Sequence, residues 1–216
     1  MATLQPTILP PATPSELLQH LIANTTYPTT VIIGWPREDF INGLTEDINQ
    51  QQPNTTDAEP PPSHPLLRAT LFQTAISRHI NIVFTPTVTH LRAYLATFAA
   101  SKSRIPPPPN QALRKPPLLM VYGFLEIHRD GLEWSAQGLS LTGATFVQGA
   151  LKDGFRAVII EPRRTTEEEE LDKLLKQTVP VVRGATMKDD GSWSCPVVSL
   201  HRVLGSWFSI DEKRDE

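Results

Sequence analysis

Short runs of consecutive apolar, largely β-branched residues punctuate the chain: "TTVII" (Thr29–Ile33), "INIVF" (Ile80–Phe84), "LLMVYGFL" (Leu118–Leu125) and "RAVII" (Arg156–Ile160). They are continuous rather than alternating, the pattern of strands buried on both faces of a parallel sheet. Between them the apolar period lengthens to that of helices. Leu17, Leu18, Leu21 and Ile22 share a face of Glu16–Ala23 behind a Ser15 cap, and a short helix is predicted over Asp39–Ile48. Helical spacing returns over Leu66–Ser77, over Val88–Ala100 behind Thr87, and over Leu139–Lys152, which Gly154 stops. Thr165 caps "TEEEELDKLLKQ", whose acidic start and later lysines suit the helix dipole. After Val181 the pattern turns to alternation on both sides of a "KDDG" turn, and a hairpin over Val181–Met187 and Trp193–Ile210 is predicted to extend the sheet antiparallel. The fold class is therefore α/β: three layers around a mainly parallel sheet, with the four runs at its centre and a C-terminal β-hairpin.

Composition changes this picture at the edges. The 21 prolines among 216 residues gather in Pro6–Pro14, Pro53–Pro65 and Pro106–Pro117, where ladder hydrogen bonds and helices are both disfavoured. The expected organisation is a disordered tail over 1–14, one domain over 15–210 with Pro-rich loops at 49–65 and 101–117, and a charged tail over 211–216. A net charge of −3 leaves no global basic field, so any nucleic-acid contact must be a local patch. Cys195 is the one cysteine, which excludes an intrachain disulfide and points to a reducing compartment. The first residues lack the basic start and apolar core of a secretory leader, and no apolar run reaches the roughly 20 residues of a membrane span. A soluble protein of the nucleus or cytoplasm, with no membrane partner, is expected.

The stretch "TTVIIGWPREDFINGL" poses the chemical question. A strand, a glycine and a helix are the setting of a phosphate-binding loop. The lysine and hydroxyl that a nucleoside triphosphate needs are missing after Gly34, where Trp35, Pro36, Arg37, Glu38 and Asp39 follow. No nucleotide hydrolysis is expected. The six histidines are scattered and zinc is not expected; a G-x-S-x-G elbow is absent. "GLSLTGATFVQG" (Gly138–Gly149) reads as helix packing by small residues. His128, Arg129, Asp130 and Glu133 could form an acid/base cluster, but a solvated loop accounts for them more simply. Trp193 and Trp207 fit hairpin packing better than base stacking.

Taken together, "TTVIIGWPRED", "HPLLRATLFQTAISRHINIVFTPTVTHLRAYLATF", "LLMVYGFLEIH", "LSLTGATFVQGALKDGFRAVIIEP" and "GSWSCPVVSLHRVLGSWFSI" resemble, in their order of elements, the RecA-type ATPase core with its nucleotide motifs lost. That resemblance implies a non-catalytic accessory subunit with no catalytic residue, no cofactor and no metal. Recombinase paralogues, including Shu-complex subunits, have this degenerate form, as do the RecA-like subunits of Elongator. The first implies a role in DNA recombination and repair, the second one in tRNA wobble-uridine modification. The implied partner is a related RecA-like subunit or another protein, with DNA or RNA reached through a basic patch. Arg163 and Arg164 follow a strand end, while Arg183, Lys188 and Arg202 lie in the predicted hairpin, where alternation places His201 and Arg202 on opposite faces. Replacing Arg163 and Arg164 by Ala is expected to weaken nucleic-acid binding and leave stability nearly unchanged. An unrecognised small α/β enzyme and a ligand-free scaffold complete the readings.

Overall fold

The computed structural model describes residues 4–24, 27–51, 64–99, 116–129, 131, 133–163, 170–182, 186–187 and 193–210. In chain order they form β1 (Thr7–Ala12), α1 (Pro14–Ala23), β2 (Thr29–Ile33), α2 (Arg37–Gln51), a 3-10 turn (Pro65–Arg68), α3 (Leu71–Ser77), β3 (Ile80–Phe84) and α4 (Val88–Thr97). There follow β4 (Leu118–Tyr122), α5 (Glu126–Arg129), α6 (Ala136–Lys152), β5 (Arg156–Pro162), α7 (Glu170–Lys176), β6 (Thr178–Pro180), β7 (Thr186–Met187), β8 (Trp193–Ser194), β9 (Val197–Ser199), α8 (Leu200–Leu204) and β10 (Ser209–Ile210).

Six strands make one sheet in the order β10-β1-β5-β4-β2-β3, and every neighbouring pair is parallel. Register aligns Ile8, Ile159, Val121 and Ile32 in one row across four strands. That row faces Leu91, Leu95, Leu139, Phe146, Leu175 and Leu204 from α4, α6, α7 and α8. The residues one step along, Val158, Met120 and Val31, point the other way, against Leu17, Leu21 and Phe40 of α1 and α2. Such side chains contribute roughly 1.5–3 kcal/mol each when fully buried, so the two-faced core explains why β2, β4 and β5 are apolar without alternation. A C-terminal antiparallel hairpin is present: β6 pairs with β9, and β7 with β8.

Several expectations are corrected. Residues 7–12 are not a disordered tail but an interior strand, with Ile8 buried between β10 and β5. Pro10 and Pro11 concealed it; the ladder tolerates them because its register breaks between Leu9 and Ala12, where their missing N–H groups are not needed. β3 belongs to the sheet but lies at its edge rather than its centre, with Ile82 42% exposed. The hairpin does not extend the sheet; β10 takes that edge, parallel to β1. Within the segment expected to alternate as a strand, Ser199 caps α8, and Leu200, Val203 and Leu204 bury one helical side. The helix expected over Leu66–Ser77 is a 3-10 turn followed by α3, in which no residue is buried. The Thr165 cap and most of both Pro-rich loops fall outside the described residues.

Across the sheet the chain steps one way from β1 to β2 to β3, then back through β4, β5 and β10. Parallel crossovers are right-handed, so helices after β1 and β2 cover one face and those after β3, β4 and β5 the other. Adjacent connections therefore part at the C-terminal end of the sheet between β1 and β5, and again where β2 meets β4 and β3. Such partings are where ligands sit in sheets of this kind.

Candidate functional site

The first parting is closed from within. α1 begins with a capping box: Glu16 N–H reaches the Thr13 hydroxyl at 3.4 Å, and Thr13 N–H reaches Glu16 Oε2 at 2.9 Å. Pro14 has no N–H to offer, and Ser15 N–H donates to Asp47 Oδ2 at 2.8 Å from α2. A carboxylate of the chain itself thus occupies the position an anion would take at a helix start. Burial opposes its ionisation, but hydrogen bonds from Ser15, Thr13 and Gln51 together hold Asp47 below the usual carboxylate range. Across the gap, Arg163 donates through Nε and Nη2 to the Pro11 carbonyl at 3.2 and 3.1 Å and through Nη1 to Glu16 Oε1 at 2.8 Å. Its backbone N–H also reaches the Ala12 carbonyl. Arg163 is a clamp joining β5, β1 and α1.

The second parting is open. Gly34 ends β2 with its N–H on the Tyr122 carbonyl. A Cβ there would lie 2.7 Å from Ile127 Cγ2 and 2.9 Å from the Gly123 carbonyl oxygen. Glycine is required at this turn by the close approach of β2 to the segment after β4, and no phosphate need be invoked. Trp35 stacks edge-on against Tyr122 with ring centroids 5.7 Å apart, and its indole N–H donates to Glu126. Around Trp35 opens a cleft of about 660 Å³. Pro36, Pro86, Val88 and Ile127 give it apolar walls, while Asp39, Glu126 and Glu133 supply carboxylates; among the described lining residues there is no Lys, Arg or His.

Behind this cleft lie two buried titratable groups. Glu161, at the end of β5, accepts the Leu125 N–H at 2.8 Å, and burial, reinforced by the Glu126 charge, pushes its pKa up to about 8. Its protonated form is thereby favoured well above the usual carboxylate range. His128 is fully buried, and desolvation lowers its pKa to about 4. Its Nδ1 lies 2.7 Å from the Phe124 carbonyl, which can only accept, so the ring proton belongs on Nδ1. Nε2 then faces the Thr142 hydroxyl at 3.0 Å. Arg92 links this group to the cleft, donating to Thr142 at 2.9 Å and to Glu133 at 2.7 Å; the Arg92 hydrogen bond keeps the Glu133 pKa low.

The solvated loop expected over residues 128–133 is thus corrected at His128, which has no solvent exposure. Arg129 lies 5.1 Å over the Trp134 ring and donates to Gln177. Asp130 lies outside the described residues, as do Arg164, Arg183 and Lys188 of the expected basic patch. Arg163 and Arg202 are not brought together. Arg163 ties down α1 on one face of the sheet, whereas Arg202 is exposed on α8 over the other. His201 and Arg202 occupy successive helical positions, not opposite faces of a strand. Trp207 is 37% exposed and donates its indole N–H to Ser140 at 3.0 Å; Trp193 enters β8. Among the described residues no group of three His, Cys, Asp or Glu could hold a metal ion, and no helix is long and apolar enough to cross a membrane.

No protein-family model matches the chain, and no curated protein matches it. Among solved structures it is similar to a DnaB-like replicative helicase, described with its interactions with primase. The identity is 10% and the TM-score 0.41, over 91% of this chain and 56% of the helicase chain. This chain therefore spans little more than half the length of that protein. A likeness at this level carries no argument about function.

Proposed function

We propose that the protein is a non-catalytic, RecA-like accessory subunit that works by contact with other proteins, in the recombination and repair setting that its sequence resemblance implies. One observation carries the non-catalytic part: the two described turns at the partings of the sheet, after β1 and after β2, present carboxylates. At the first, Asp47 and Glu16 satisfy the α1 start. At the second, Asp39, Glu126 and Glu133 line the cleft. A triphosphate would meet like charge with no lysine among the described lining residues to offset it, and the barrier for phosphoryl transfer would lack its main electrostatic stabiliser.

Direct nucleic-acid contact has less support than contact with protein. Arg163 already satisfies two carbonyl contacts and a carboxylate of its own chain, so recruiting it to phosphate would break the clamp. Affinity purification of the tagged protein followed by mass spectrometry tests the role. Recovery of RecA-like recombination proteins is expected; recovery of none, together with hydrolysis of ATP by the purified chain, would overturn it.

A further inference from the structure

We draw no further inference here: the strongest candidate, the apolar surface of α3 and the 3-10 turn before it, where Leu67, Leu71 and Phe72 are exposed, carries nothing because nothing in the structure shows what covers it.

Discussion

The turns after β1 and β2 begin alike, each carrying the chain from a sheet strand into a helix on the same face, and they end differently. After β1 the chain closes the turn on itself: Thr13, Glu16 and Asp47 meet the early N–H groups of α1, and Arg163 crosses from β5 to lock the gap. After β2 the helix starts behind Trp35 and Pro36, and the space ahead of it stays open as an acidic cleft. The difference lies in where the opposing charge comes from. The closed turn contains its own anions and cation, so it serves stability. The open one presents Asp39, Glu126 and Glu133 to the cleft, with Arg92 meeting Glu133 from behind.

The open turn should be the more fragile to added volume. Gly34→Ala would drive a methyl group toward Ile127 and two backbone carbonyls. A loss of about 3 kcal/mol, at the upper end for overpacking against backbone, is expected in denaturant unfolding. An unchanged midpoint would mean that the β2 and β4 ends can part freely.

Glu161 lies on the strand between the two turns, and its effect depends on pH. The unfolded carboxyl loses its proton near the ordinary value of 4.5, whereas the folded one keeps it to about 8. Over that interval the folded state binds the extra proton, so this group makes stability fall as pH rises from about 4.5 to 8, with no further change above. Glu161→Gln should remove that slope and gain on the order of 2 kcal/mol at pH 8, with little change at pH 4. A loss of stability at pH 8 would show that the charged form is well solvated by the Leu125 and Glu126 N–H groups.

Smaller effects belong to the closed turn. Asp47→Asn should cost about 1 kcal/mol at pH 7, as for other lost helix-start contacts. The folded Asp47 pKa is depressed, so its contribution is present above the unfolded pKa of about 3.8 and is lost as pH falls through the lower folded value. The variant should lack that acid slope. Arg163→Ala should cost about 1 kcal/mol through the carbonyl contacts more than the partly exposed Glu16 pair. Thermal unfolding of the single variant identical to the parent would return Arg163 to the free cations, as the sequence alone suggested.

How much of this was legible beforehand depended on the range of the interactions involved. β2, β4 and β5 announce themselves because burial on both faces writes a continuous apolar run. The near-continuous run in β3, four apolar residues and Asn81, was misplaced to the centre, since it looks alike whether or not another strand lies beyond it. β1 was hidden because "TILPPA" contains two prolines, and the register break that admits them belongs to β5 as much as to β1. At the site, Gly34, Trp35 and Glu126 could be picked out as residues at strand ends. Their meaning depended on partners far along the chain: Asp47 is 32 residues from Ser15, and Arg92 is 41 from Glu133. Periodicity and spacing carry no signal at that separation. Glu161 was visible as an acid after an apolar strand, but its raised pKa follows from burial that only the packed layers create.

Titration calorimetry of the full chain with Mg-ATP tests the central claim most directly. With carboxylates at both turns, no binding heat is expected across the physiological ATP range, and none should emerge in Asp39→Asn. A micromolar dissociation constant, lost in a variant of either turn, would contradict the account and restore a nucleotide site.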